Sequence, residues 1–295
     1  MTIVLENANY LITNLKKEKK MQQEQQIIEV KSVDVIQAID RAEIDVQIAT
    51  AKQYPRDVAK VLNIIRTYGQ MDVETAQECF YSLARGANPI EGLSVRFAEI
   101  VAGAWGNLRV ATRIIGNDGK TITAQGIAHD LETNLAVSVE VKRRITDKYG
   151  KTYSEDMQVV TGNAASAIAY RNAVLKVVPK AVTKRVTDEI KAVAMGSTQD
   201  IESRRKAMLK YIKDKGIKIT QEQILFYCGV STIENIDNQM LFNLRGAINA
   251  INEGSSTVEE LFINPLKESK KQAAAEKKTE NASDRAAAAM AETVQ

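Results

Sequence analysis

Between Leu108 and Ile145 the apolar period of the chain is two, whereas the segments on either side read close to 3.6. That switch restricts the chain to a small antiparallel sheet framed by helices. Leu108, Val110, Thr112 and Ile114 alternate with Asn107, Arg109, Ala111 and Arg113. Gly116-Asn117-Asp118-Gly119 is a strong turn signal, so a hairpin is predicted. Its return strand, Lys120 to Ala128, sets Thr121, Thr123 and Gln125 on one face. A third strand, Leu135 to Ile145, sends Leu135, Val137, Val139 and Val141 to one side. Ser138, Glu140, Lys142 and Arg144 go to the other. The expected sheet is a three-stranded meander with one apolar face and one polar, basic face.

Helical signals flank it. Val33, Ile36, Ile39, Ile44 and Ile48 approximate one apolar stripe, and Pro55 suits the first turn of a second helix to about Thr67. Asp72 is placed to cap a third helix ending near Arg85-Gly86, and a fourth is expected over Leu93–Ala104. After a loop at Tyr149-Gly150, Thr161-Gly162-Asn163 opens a helix carrying Ala164, Ala165, Ala167, Ala169 and Ala173. Side chains this small bring a helix backbone close to a sheet. Pro179 ends or restarts it, and a basic helix follows to about Val193. Met195-Gly196-Ser197 reads as a linker. Beyond it, Gly216, the Thr220/Gln223 box, Asp237 and the Thr257/Glu260 box punctuate a small helical module. The fold class is α+β: N-terminal helices, a β-β-β-α core, a small all-α module and a disordered tail. The corresponding segments are a flexible arm at 1–32, an α+β core at 33–196, the module at 197–264, and the tail at 265–295.

Composition removes several classes. Among 295 residues, 44% are hydrophobic, and no apolar run reaches membrane-spanning length. A short apolar patch precedes Lys16, Lys17, Lys19 and Lys20, the reverse of a secretory signal, so a soluble cytoplasmic protein is expected. Cys79 and Cys228 lie apart without metal-ligand spacing and read as buried thiols. The single histidine, His129, leaves no two-imidazole site and reads as a strand-end residue. No phosphate loop, dinucleotide fingerprint or CxxC pair occurs, so no cofactor and no metal are expected.

Net charge is only +3, but its distribution is uneven. No carboxylate occurs from Met157 to Thr187, while Arg171, Lys176, Lys180, Lys184 and Arg185 all do. From Arg204 to Lys218 seven basic residues face Asp214 alone, and from Ile219 to Phe262 six acids face Arg245 alone. On the sheet, Arg109, Arg113, Lys142 and Arg144 project among hydroxyl and amide side chains, with Lys148 and Lys151 at the rim. Spaced cations with polar donors suit a phosphate backbone. The plainer alternative is a solvated outer face. Arg171 falls within the apolar stripe of Ala164, Ala167, Leu175 and Val178. It needs a carboxylate partner (Glu140 is a candidate), a bound phosphate, or a path to water. Lys176 and Lys180 extend the acid-free segment, with Lys176 open to reading as plain surface. Asp130 followed by Glu140-Val141-Lys142 also matches the loose D…ExK pattern of metal-dependent nucleases.

Helices, a meander with a basic face and the small-residue helix from Gly162 to Ala173 together resemble the phage single-strand annealing proteins of the RecT/Redβ and Erf families. The resemblance spans about Val33 to Val193 and rests on architecture. It implies binding of single-stranded DNA in a groove, rings or filaments of identical subunits, and annealing of complementary strands without ATP. It also implies a docking role for residues 197–264, with a phage exonuclease or a host single-strand-binding protein as partner. The chain departs from that picture in having few aromatics on the basic face. A D…ExK nuclease and a non-catalytic phage adaptor or assembly protein are the alternative readings.

Overall fold

The computed structural model of the chain describes residues 17–21, 38–83, 89–196 and 201–272. Of the expected flexible arm at 1–32 only 17–21, and of the expected disordered tail at 265–295 only 265–272, lie within these residues, and both stretches are helical. The chain divides into two units, 1–55 and 56–295. In the first, residues 17–21 are helical, and helix α1 spans 38–53.

The second unit is mixed α+β. Helix α2, Val58–Gly69, begins three residues after Pro55 because Asp57 caps it, accepting from the Ala59 and Lys60 amides. Helix α3, Val73–Glu78, starts where Asp72 accepts from the Thr75 amide at 2.7 Å. The single helix expected from Asp72 to Arg85 is not formed. Phe80–Leu83 is strand β1 instead, paired antiparallel with β2, Ile90–Leu93. Aromatic residues favour the pleated surface, and Gly92 makes room under Tyr81, where a Cβ would stand 2.4 Å from Cζ. Helix α4, Val95–Trp105, follows a Ser94 cap and stops at Gly106, whose φ is 64°.

The meander comprises β3, Leu108–Asn117, β4, Thr121–Asp130, and β5, Leu135–Arg144, in the order β3-β4-β5. Helix α5, Glu155–Val177, crosses its inner face. Ala124 on β4 and Ala165 and Ala169 on α5 are fully buried against each other. Gly162 passes over Ile122 and Ile114. Helix α5 starts six residues earlier than its apolar pattern suggests. Ser154 caps it and Glu155 and Asp156 occupy the positive end of the helix dipole, while Met157, Val159 and Val160 stay exposed. Helix α6, Lys180–Met195, closes the main core with Val186 and Ile190 against Phe97, Val101, Ile65 and Val174.

Helices α7, Ile201–Asp214, α8, Gln221–Cys228, and α9, Asn238–Asn252, enclose a second core around Leu244, Ile248 and Phe262. The Thr220/Gln223 capping box forms as expected. A π-helical turn at Glu259–Ile263 continues as α-helix to residue 272. Helix α9 also packs on β1. Phe242 meets Phe80 edge-on at 5.3 Å, Asn249 donates to the Gln77 and Phe80 carbonyls, and buried Arg245 reaches Glu74 and Glu78. Among the described residues no helix is long and apolar enough to cross a membrane.

Candidate nucleic-acid interface

Register decides which side chains share the outer face of the meander. Arg109 pairs with His129 and Arg113 with Gln125, while Thr121 pairs with Arg144, Thr123 with Lys142 and Gln125 with Glu140. Side chains alternate across a strand, and β4 buries Ile122, Ala124, Gly126, Ala128 and Asp130. The opposite face therefore carries Arg109, Arg113, Lys142 and Arg144 together with Thr121, Thr123, Gln125 and Ser138. Glu140 is the only carboxylate of the three strands on that face. Arg113 Nε donates to Gln125 at 2.8 Å, and Gln125 donates to Ser138 at 3.0 Å, so one polar rail crosses all three strands. Lys142 and Arg144 are exposed, and neither holds an ion pair among the described residues. His129 lies one residue before the end of β4, close to the strand end expected for it, with Nε2 3.0 Å from Asn134 Oδ1.

The loop after β5 adds an aromatic that the sequence pattern passes over. Thr152 donates to the Gly119 carbonyl, and the Ile145 amide donates to the Lys120 carbonyl. These bonds fix the loop beside the β3–β4 turn. At its tip Tyr149 is 82% exposed, with Lys148 Nζ 4.9 Å from the ring centre. An exposed tyrosine beside Lys148 and Lys151 offers a stacking surface at the rim of the basic face. The signal that finds it is a tyrosine flanked by lysines in a Gly-containing turn. Asp118 in the adjacent turn accepts from Thr121 and Lys120, and these hydrogen bonds, Thr121's foremost, hold its carboxyl down at about 2.

The residues expected on α5 and α6 do not join this surface, because α5 lies against the inner face of the sheet. Lys176 and Lys180 are exposed at the junction of α5 and α6. Arg171 is buried, at 8% exposure. Its expected partner Glu140 is excluded by strand alternation, which sends Glu140 outward. The carboxylate facing Arg171 is Glu253, just after α9, with Nη1 to Oε2 3.9 Å. The Arg171 guanidinium lies over the Tyr81 ring at 4.7 Å.

Asp130 and Glu140 stand on opposite faces of the sheet, so the D…ExK residues do not converge. Asp130 is 2% exposed and takes both terminal nitrogens of Arg56 at 2.6 Å, as well as Trp105 Nε1 at 3.1 Å. Burial pushes its carboxyl up. The hydrogen bonds from Arg56, Trp105 and the Glu132 amide outweigh that and hold it down at about 2. Arg56 is itself stacked over Trp105 at 4.2 Å. Both cysteines are buried or half-buried thiols pushed up to about 12 by desolvation. Comparisons with family models, curated proteins and solved structures return no match for the chain.

Proposed function

We propose that the chain binds single-stranded DNA along the outer face of the meander and anneals complementary strands without ATP, as a phage-type recombination protein. The observation that carries this reading is the register, which gathers Arg109, Arg113, Lys142 and Arg144 on one solvent face where Glu140 is the one carboxylate of the strands, with Asp118 of the neighbouring turn close enough to act on Lys142. Four cations on the two outer strands, flanking β4, match a flexible polyanion better than a compact ligand. The polar rail from Arg113 to Ser138 supplies neutral donors between them. Tyr149 adds a ring on which a base stacks without regard to sequence, which suits a protein that must accept any strand.

Annealing requires many nucleotides held in register, so the reading includes self-association in a ring or filament. Among the described residues, strands β3 and β5 are both sheet edges, each paired only with β4. The edge of β3 bears Ile114 and Ile115, each 45% exposed, and a register shift between Ile114 and Gly116. An exposed edge of this kind favours pairing with another chain. In this reading the β-β-β-α core does the binding and residues 197–264 receive a protein partner, such as an exonuclease or a single-strand-binding protein.

Two complementary dye-labelled oligonucleotides mixed with the protein, without nucleotide or magnesium, test the function. Faster pairing than in buffer alone is expected, with both strands intact. Strand cleavage on adding magnesium would transfer the assignment to the nuclease reading.

A further inference from the structure

Three buried polar atoms near the end of α9 have no hydrogen-bond partner among the described residues: Arg171 Nη1, Glu253 Oε2 and Ser255 Oγ. Desolvated polar atoms are costly when unsatisfied, and charged ones most of all. They belong to one constellation. Glu253 Oε1 accepts the amide of Val95, the first residue of α4, at 2.9 Å. Its other oxygen faces Arg171 at 3.9 Å, too far for a hydrogen bond. The Arg171 side chain is nine-tenths buried and points at this oxygen. Arg143, on the inner face of β5, donates to the Gly254 carbonyl at 2.5 Å and the Ser255 carbonyl at 3.2 Å. Gly254, at φ 68°, lies so close to α5 that a Cβ there would stand 2.4 Å from the Ala164 Cβ. The loop 253–255 is therefore seated in a place lined by two arginines and a helix N-terminus, and it satisfies that place only in part.

The loop meets this set with two carbonyls and a carboxylate of which only Oε1 lies within hydrogen-bond distance of it. A phosphodiester presents oxygens in several directions and a full charge, which two guanidinium groups and an amide at a helix start can all meet. We propose that Arg171, Arg143 and the Val95 amide form a nucleic-acid phosphate site, and that Glu253 and the loop 253–255 occupy it as an autoinhibitory latch until a strand displaces them. The proposal rests on the single-strand-binding reading above and adds to it a second phosphate contact, on the inner side of the sheet. It adds a phosphate to the Glu253 carboxylate as a partner for Arg171.

The test compares the wild type, Glu253→Gln, and the double variant Glu253→Gln/Arg171→Gln for binding to a fluorescent oligothymidine over a salt series. Glutamine keeps an oxygen for the Val95 amide but removes the charge that competes with phosphate. Glu253→Gln is expected to bind about three- to tenfold tighter, with a salt slope steeper by roughly 0.7 to 1.4, the increment for one or two more phosphates. The double variant is expected to return to the wild-type affinity and slope. Wild-type binding unchanged by Glu253→Gln overturns the latch and leaves the sheet reading standing. Absence of binding in every variant overturns both.

Hydrogen exchange on the unaltered chain gives an independent readout if the variant fails to fold. The Val95 and 253–256 amides are expected to lose protection when oligothymidine is added. Unchanged protection overturns the latch. The same loss with inorganic phosphate alone overturns the assignment to nucleic acid.

Discussion

Gly126 of the central strand and Ala169 of α5 touch backbone to backbone: a Cβ built on Gly126 would stand 2.3 Å from the Ala169 carbonyl oxygen. This contact sets the distance between sheet and helix, and with it the orientation of the outward-facing arginines. Gly126→Ala is expected to destabilise the chain by about 3 kcal/mol or more, since neither backbone segment can yield without moving an element. Urea unfolding checks it. A loss under about 1 kcal/mol contradicts the close approach.

Asp130 gives a prediction about pH. Its carboxyl is held below the ordinary value, so its contribution to stability is present above about pH 4 and is lost as pH falls toward 2. Asp130→Asn strands Arg56 over Trp105 and is expected to cost about 3 kcal/mol at pH 7. Thermal unfolding of the two proteins should converge as pH falls from 4 towards 2. A gap that stays constant over that range contradicts the assignment of the ion pair.

Tyr149 tests the rim. Tyr149→Ala is expected to weaken single-strand binding by about 1–3 kcal/mol, the range for one stacked base, and Tyr149→Phe to leave it unchanged. Equal losses for both variants would mean that the hydroxyl, not the ring, makes the contact. Stability should be unaffected, because the side chain is exposed.

Much of this architecture is legible in the residue order, and the failures have identifiable causes. The period-two stretch predicts β3, β4 and β5 within a few residues, because alternation marks a half-buried sheet. It also predicts the shared face of Arg109, Arg113, Lys142 and Arg144, since that follows from counting residues. Capping residues mark α3, α8 and α9 for the same local reason. The hairpin of β1 and β2 is missed because four-residue strands are too short to display a period, and Cys79-Phe80-Tyr81 reads equally well as helix. The partner of Arg171 is missed because Glu253 is 82 residues away in sequence, and only tertiary packing brings α9 back to α5. Arg56 and Trp105 likewise reach Asp130 from separate elements, so the D…ExK spacing reads as a candidate site until the strand faces are known.

The exposed edge of β3 carries the self-association reading. Ile115→Lys places a charge on that edge and is expected to shift the sedimentation profile toward the monomer without loss of folding, as charged edge residues do elsewhere. An unchanged oligomer assigns the contact to another surface. A monomer in the wild type, free and with DNA, contradicts self-association itself.

The most direct test of the central claim is the salt dependence of single-strand binding by the wild type and by the pair Arg113→Glu/Lys142→Glu. With about four to six phosphates neutralised, the slope of log K against log salt should lie near −3 to −4 for the wild type. The charge-reversed pair should reduce its magnitude by about 1.4, equally on strands of every sequence. A flat wild-type profile, no binding at low salt, or a pair variant that keeps the wild-type slope would contradict the sheet face as the nucleic-acid interface.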